Sequence, residues 1–207
     1  MFALGLFGTL ATLFSWFTPA QEHTLVQVKQ IIPNIVVDIK YATPDNFTGK
    51  VLYPSAECYL LQHVALALAD VQKELNANGY GLKIWDGYRP LSVQKIMWNV
   101  VQGTPQEKYV ANPAMGGKHT RGTAVDLTLV YLATGHEVEM PTLFDDLTER
   151  AWRSSTDCPY RCQVNRRYLE NIMHAHGFVG LPHEWWHFDY QDWQDHKPLD
   201  INFLDLK

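Results

Sequence analysis

The ten residues from Thr123 to Leu132, TAVDLTLVYL, decide the fold. They are rich in β-branched and apolar residues, a composition typical of a central β-strand. Asp126 interrupts this apolar run, and a buried ionised carboxylate requires a cation, a metal ion or several hydrogen bonds. The stretch therefore predicts the middle of a sheet and a close partner for Asp126.

The segments on either side of this strand show helical and strand patterns in no regular alternation. Apolar spacing, with Ser55 as N-cap and Gly79 and Gly177 as stops, predicts helices over residues 57–77, 92–101, 145–152 and 159–175. Further strands are predicted over residues 35–39, 82–85 and 185–190, and a surface loop over residues 102–118. Since no internal repeat is present, a single-domain α+β fold is favoured over a doubly wound sheet.

Length and composition are those of one ordinary globular domain. The 207 residues are 46% hydrophobic and 19% charged, which is enough to bury a sizeable core. With 17 Lys and Arg against 22 Asp and Glu, the net charge is −5, so there is no basic footprint for a polyanion. We therefore expect no nucleic-acid partner.

An uncharged apolar run spans residues 2–17 at the start of the chain. It is short for a membrane-spanning helix, and the small residues Thr18 and Ala20 suit cleavage after Ala20, although no Lys or Arg precedes the run. We predict a signal peptide over residues 1–20, a domain over residues 21–207, a periplasmic or secreted location and no stable membrane partner after cleavage. An uncleaved membrane anchor and a buried N-terminal helix are the alternatives.

Cys58, Cys158 and Cys162 are an odd number of cysteines, so at most one internal disulfide can form. The close spacing of Cys158 and Cys162 could suit a metal clip, but a closed zinc site needs about four ligands and the chain has no second Cys pair. One disulfide or inert thiols is therefore the favoured interpretation, with the pairing open.

Three residues could form a metal site. His119 precedes Asp126 in a Gly-rich approach to the central strand, and His187 lies in a second cluster, HEWWHFDY, over residues 183–190. A catalytic zinc ion takes three protein ligands and leaves one position for water, so His119, Asp126 and His187 are candidate zinc ligands. Two alternatives remain open: backbone amides or an arginine could satisfy Asp126, and the second cluster could be aromatic packing on the core.

Two further residues suggest hydrolytic chemistry. Glu184 lies at the predicted bend before the last strand, where it could take a proton from an activated water as general base. Arg89, before Pro90 at a strand end, could face a developing oxyanion or form a structural salt bridge with Asp86. No phosphate-binding glycine loop or serine-hydrolase elbow is present.

Among the other histidines, only His183 beside Glu184 is a rival metal ligand. The remainder are interpreted as surface or packing residues: His23, His63, His136, His174, His176 and His196.

Four motifs occur in a fixed order: KYATPDNFTG at 40–49, GYRP at 87–90, HTRGTAVDLTL at 119–129 and EWWH at 184–187. Over residues 38–190 the chain resembles the VanX type of D-Ala-D-Ala dipeptidase, a zinc peptidase family related to D,D-carboxypeptidases. The resemblance implies a hedgehog-like α+β fold in which helices flank a central antiparallel sheet.

The resemblance also implies roles for single residues. Glu184 would be the catalytic base and Arg89 would stabilise the tetrahedral intermediate. Asp145 matches an acidic residue that holds the free ammonium of the substrate, and Tyr41 would help to line the same pocket. One zinc ion per chain would be held by the residues already singled out: His119, Asp126 and His187.

Two positions depart from the family pattern. Gly117 replaces a Ser two residues before the first zinc ligand, which removes a hydroxyl near the substrate. Pro44 stands where a Trp is common, which would reshape the mouth of the pocket.

The function implied is hydrolysis of a small D,D-dipeptide, D-alanyl-D-alanine, to two D-alanines. Its setting could be cell-wall turnover, D-alanine nutrition or glycopeptide resistance, and the predicted signal peptide favours the first two. The alternatives are a D,D- or L,D-carboxypeptidase acting on muropeptides and a zinc-stabilised binding module without turnover.

Overall fold

The computed structural model describes residues 24–206, so the predicted signal peptide over residues 1–20 lies outside the described residues. The strands within this range are β1 (Leu25–Gln27), β2 (Val36–Val37), β3 (Tyr59–Leu61), β4 (Tyr80–Asp86), β5 (Ala124–Tyr131), β6 (Phe178–Gly180) and β7 (His187–Tyr190). The α-helices are α1 (Val28–Ile31), α2 (Gln62–Ala77), α3 (Leu91–Val101) and α4 (Tyr160–Ala175).

Five strands form the main sheet in the order β2-β4-β5-β7-β6. All neighbouring pairs are antiparallel except the edge pair of β2 and β4, which is parallel. A separate two-stranded ribbon pairs β1 with β3. The predicted α+β class and a central, mainly antiparallel sheet are therefore confirmed, with β5 in the middle position.

The core forms where the helices cover the sheet. Seven of the eight residues of β5 are buried, and α2 turns Val64, Leu68, Val71 and Leu75 inward. Helix α2 contacts β4 and α4 contacts β6. Burying one such Leu or Val contributes about 1.5–3 kcal/mol, so this packing fixes the sheet that carries the site.

Strand register brings three polar residues side by side at one end of the sheet. Asp126 of β5 lies opposite His187 of β7 on one side and Asp86 of β4 on the other. The register of β4 shifts between Ile84 and Asp86, a bulge of the kind that re-aims side chains beside active sites. Three neighbouring strands thus converge on one polar cluster.

The predicted helix over residues 57–77 begins too early. Tyr59–Leu61 is strand β3, all three residues are buried, and α2 starts only at Gln62. The predicted N-cap Ser55 instead hydrogen-bonds Glu57. Pairing with β1 overrides the local helical spacing, because it satisfies this backbone while burying its apolar side chains. The helix ends before Gly79, as predicted.

The predicted helix over residues 145–152 is also wrong, because only Glu149–Ala151 forms a single 3-10 turn. Asp145 has φ of 60°, which no right-handed helix accepts. The last strand starts at His187 rather than 185, and the sequence analysis missed the short strands β1 and β6.

The three cysteines are free thiols in the structure, which shows no disulfide between them. Cys58 and Cys162 are buried, and burial raises the pKa of the Cys58 thiol well above its ordinary value.

Among residues 24–206, none of the helices is both long and apolar enough to cross a bilayer.

Candidate active site

The three predicted metal ligands meet in one buried cluster. His119 begins a 3-10 turn before β5, Asp126 lies on β5, and His187 begins β7. His119 Nε2 lies 3.1 Å from His187 Nδ1 and 3.3 Å from Asp126 Oδ2, and His187 Nδ1 lies 2.9 Å from Asp126 Oδ1. The sequence prediction that these residues come together is confirmed.

Hydrogen bonds fix which ring nitrogen of each histidine faces the cluster. His119 Nδ1 lies 2.7 Å from the carbonyl oxygen of Gly87, which can only accept, so Nδ1 carries the proton. His187 Nε2 likewise donates to Asp189 Oδ1 at 2.8 Å. With those protons placed, His119 Nε2 and His187 Nδ1 are the ring nitrogens that point towards Asp126. These two nitrogens and an Asp126 oxygen lie close enough together to ligate one cation.

The donor set fits zinc. Two ligand atoms each about 2.0–2.1 Å from a tetrahedral zinc ion lie about 3.3 Å apart, close to the observed separations. Two imidazole nitrogens and one carboxylate oxygen are also a common catalytic zinc set, which leaves a fourth position for water.

The electrostatics of the cluster favour a bound cation. Burial opposes ionisation of Asp126, but His119 and His187 outweigh it and hold the pKa of this carboxyl well below its ordinary value. Burial alone would lower the pKa of His187, yet Asp189 and Asp126 outweigh burial and raise it. The carboxylates thus create a negative field at the point where the ligand atoms converge.

Gly87 explains why the GYRP motif begins with glycine. A Cβ added to Gly87 would lie 2.6 Å from Cys58 Sγ and 2.9 Å from the Tyr59 carbonyl oxygen, closer than real contacts allow. Its carbonyl is the acceptor that orients His119. Any side chain here would displace the backbone that fixes this ligand.

Asp189 contacts the predicted ligand His187 and was not among the site residues predicted from sequence. It accepts from His187 Nε2 and pairs with Lys118 Nζ at 2.7 Å. Such outer partners orient metal ligands and raise their basicity. A signal was available, because residues two apart on a strand share a face and Asp189 follows His187 by two.

Glu184 lies at the bend before β7, as predicted, with Oε2 3.9 Å from His187 Nδ1. It is buried, and burial raises its pKa to about 8, with His187 opposing the shift and Asp126 and Asp145 adding to it. A carboxyl group with a pKa near neutrality can both accept and release a proton during one turnover.

Arg89 forms the salt bridge with Asp86 that was one of its two predicted roles, and it also lines the cavity. Its Nε and Nη2 donate to Asp86 Oδ2 at 3.1 and 2.7 Å, so the salt bridge is present, and Nη1 donates to Gln94 Oε1 at 2.8 Å. These bonds use three of the five guanidinium N–H groups, leaving two for a ligand. Burial alone would lower the pKa of Arg89, but Asp86 outweighs it, so the charge is permanent.

Asp145 and Tyr41 lie together, as the resemblance implies. Tyr41 Oη donates to Asp145 Oδ1 at 3.0 Å, and the Phe47 amide donates to Oδ2 at 3.3 Å. Burial raises the pKa of Asp145 to about 7, although both donors oppose the shift. Its φ of 60° is a conformation that Asp and Asn tolerate better than other side chains. The buried carboxylate of Asp145 suits a cationic ligand.

One cavity of about 370 Å³ joins these groups, near the lower end of small-molecule sites. Its lining includes all seven predicted site residues, which are Tyr41, Arg89, His119, Asp126, Asp145, Glu184 and His187. His183 does not join the metal cluster, since its ring packs on Trp152 at 4.9 Å. The cavity therefore combines a metal site, a buried acid, a guanidinium and a separate carboxylate.

The structure shows what surrounds Gly117 and Pro44, the two positions that depart from the family pattern. A Cβ at Gly117 would lie 3.3 Å from Ala111 Cβ, a tight contact, and 3.6 Å from Oε1 of Gln94, the residue that supports Arg89, an ordinary contact. Pro44 does not line this cavity but a neighbouring one of about 990 Å³, which shares Phe47 and Asp145 with it.

Comparison with known proteins gives consistent matches. Residues 21–206 match the M15 peptidase family described as D-Ala-D-Ala dipeptidase. The D-alanyl-D-alanine dipeptidase of Escherichia coli K12 is 39% identical over 165 residues, covering 80% of this chain and 83% of that protein. The enzyme of the same name from Enterococcus faecalis V583 is 35% identical over 188 residues, covering 83% and 93%.

A solved structure of a vancomycin-resistance D,D-pentapeptidase, VanY, in complex with Zn(II) is a more distant match. It is 17% identical and covers 69% of this chain and 78% of that chain, with a TM-score of 0.42.

Proposed function

The chain belongs to the D-Ala-D-Ala dipeptidase family of M15 peptidases, and from this premise we propose that it hydrolyses D-alanyl-D-alanine to two molecules of D-alanine. The observation that carries the proposal is that ligand atoms of His119, Asp126 and His187 lie within 4.8 Å of one another, in the same small cavity as Asp145. A metal site supplies hydrolysis, and a second buried carboxylate supplies recognition of a free amine.

The residues that would hold the cofactor, one zinc ion, are His119 Nε2, Asp126 and His187 Nδ1. When bound, zinc supplies Lewis-acid polarisation of the scissile carbonyl and lowers the pKa of water to about 7. Asp189 and the Gly87 carbonyl keep both histidines in the ligand tautomer.

Glu184 transfers the proton of the attacking water, and Arg89 stabilises the negative charge of the tetrahedral intermediate. Glu184 takes a proton from the attacking water onto its carboxylate and passes it to the amine of the leaving D-alanine. Arg89, held by Asp86 and Gln94, directs its remaining N–H groups to the oxygen that becomes negative in the tetrahedral intermediate. Asp145 binds the substrate ammonium, and Tyr41 holds Asp145 in place.

The test of the proposal is incubation of the zinc-loaded enzyme with D-Ala-D-Ala and with its L,L isomer, with the free alanine released from each dipeptide measured by a method that detects both enantiomers. We expect release from the D,D isomer and little or none from the L,L isomer, because inverting both centres moves the methyl groups out of their positions while the amine and the scissile carbonyl stay held by fixed groups. Equal rates for both isomers, or no hydrolysis of either, would reject the proposal.

Loss of a metal ligand should remove zinc and activity together. We expect His119→Ala and His187→Ala each to lose one equivalent of zinc per chain, because two protein ligands hold the ion poorly. Metal analysis and turnover on the same samples check this result. Unchanged zinc content in both variants would show that the ligand assignment is wrong.

We also propose export through the predicted signal peptide, which would place the enzyme in the periplasm or outside the cell. There it would meet wall fragments rather than the cytoplasmic precursor, which supports a role in wall turnover or D-alanine nutrition. Protein recovered from its native host should begin at Gln21 by mass spectrometry. Membrane-bound protein with an intact Met1 would support the anchor instead.

A further inference from the structure

A second group of potential metal ligands lies apart from the active-site cluster. His63 Nε2 is 2.9 Å and His196 Nε2 is 3.3 Å from the same atom, Asp192 Oδ2. One ligand atom from each residue lies within 4.8 Å of the others. We name His63, Asp192 and His196 the peripheral cluster. Both histidines are surface or packing residues by sequence, and the structure shows that they converge on one carboxylate.

The chemistry of the peripheral cluster matches that of the active-site cluster. Both consist of two imidazoles and one carboxylate, and the histidine-to-carboxylate separations run from 2.9 to 3.3 Å in both. Ligand atoms on a tetrahedral zinc ion are about 3.3 Å apart. Imidazole nitrogens favour zinc, nickel and copper over magnesium or calcium.

The fold holds these side chains in place. Asp192 and His196 flank the 3-10 turn Trp193–Asp195, and His63 lies in the first turn of α2. The His196 carbonyl accepts a hydrogen bond from Arg121 Nη1. The two imidazole rings stack at 5.2 Å with 25° between their planes. The ligands therefore do not need to reorganise greatly to meet an ion.

The peripheral cluster is partly exposed. His196 is only 4% exposed, whereas the side chains of His63 and Asp192 are 28% and 24% exposed. An ion could therefore exchange with solvent, and water could complete its coordination. The site differs in this respect from the fully buried active-site cluster.

We propose that the peripheral cluster binds a second divalent transition-metal ion, with zinc as its natural occupant. The ion would join the turn at 192–196 to the start of α2. Trp193 on this turn lines the active-site cavity, and its ring contacts Lys118 Nζ at 5.0 Å. The second ion is thus a structural support for one wall of the cavity, and its binding does not depend on which peptide the enzyme cleaves.

Metal content tests the proposal. After equilibration with zinc and desalting, wild type should contain two zinc ions per chain, and His63→Ala and His119→Ala one each. The double variant His63→Ala/His119→Ala should contain none. His174→Ala is the matched control, because His174 is exposed on α4, and it should keep two. One zinc ion in wild type, with an unchanged content in His63→Ala, counts against the proposal.

Thermal unfolding covers the case in which desalting strips a weakly held ion. Zinc at a hundredfold excess over its Kd should raise the Tm of His119→Ala by about 5 °C or more. It should not raise the Tm of the double variant. If neither variant responds and wild type holds one ion, the peripheral site does not exist. Because neither readout uses a peptide, failure of the dipeptidase proposal would leave this result unaffected.

Discussion

Replacing Glu184 by Gln should lower kcat for D-Ala-D-Ala by about 10²- to 10⁴-fold, the usual contribution of a positioned general base. Gln has nearly the same shape but cannot accept a proton at its amide. The change should leave the fold intact, because burial already disfavours the charged form of Glu184 and raises its pKa to about 8. Steady-state kinetics with metal analysis on one sample provide the measurement.

The control for this result is Glu149→Gln, since the Glu149 side chain is 74% exposed. Glu149 begins the 3-10 turn Glu149–Ala151 and does not line the cavity. It should keep wild-type kcat and zinc content. If zinc-loaded Glu184→Gln turns over at a rate close to wild type, another group moves the proton and the assigned mechanism is wrong.

Sequence alone predicted the site better than it predicted the segments around it. The sequence predicts the metal ligands His119, Asp126 and His187 because His and Asp side chains are common zinc ligands. Strand register then explains why Asp126 and His187 lie side by side. Asp189 was missed as a partner of His187, since an Asp near a strand end has many ordinary explanations. Its role depends on a ring orientation that only coordinates show.

The fold errors have physical causes at particular residues. Tyr59–Leu61 has helical spacing, yet it pairs with Leu25–Gln27, a partner more than thirty residues away that no local pattern indicates. Residues 145–152 have the composition of a short helix, but contacts with Tyr41 and Phe47 hold Asp145 at positive φ. In both places tertiary contacts outweigh local propensity, which spans less than about 1 kcal/mol per residue.

Substrate selectivity tests Asp145 directly, and the natural comparison is D-Ala-D-Ala against its N-acetylated form. Acetylation removes the ammonium charge and leaves the buried carboxylate without a cationic partner. Removing one partner of a buried ion pair costs about 3–5 kcal/mol, and each 1.4 kcal/mol is about a tenfold change in rate. We therefore expect kcat/KM for the acetylated dipeptide to be lower by at least about a hundredfold, as measured by D-alanine release.

Asp145→Asn is the variant that isolates the charge. Asn tolerates the φ of 60° that an alanine would strain, so the loop keeps its shape while the negative charge is lost. The variant should have a lower kcat/KM mainly for the free dipeptide. The difference in kcat/KM between the free and the acetylated dipeptide should therefore become smaller. Asp146→Asn, one residue away and outside this cavity, is the control and should keep the full gap.

The ratio of kcat/KM for the free dipeptide to kcat/KM for the acetylated dipeptide should fall as pH is lowered. The pKa of Asp145 is raised to about 7, so its carboxylate loses its charge as pH falls through that value. Only the free dipeptide uses that charge, so the ratio of the two kcat/KM values should fall below pH 7, while effects of Glu184 on both substrates cancel in the ratio. kcat/KM reports ionisation in the free enzyme, so this titration reflects Asp145 before substrate binds. Comparable hydrolysis of both substrates by wild type at all pH values would instead indicate a carboxypeptidase that does not recognise a free amine.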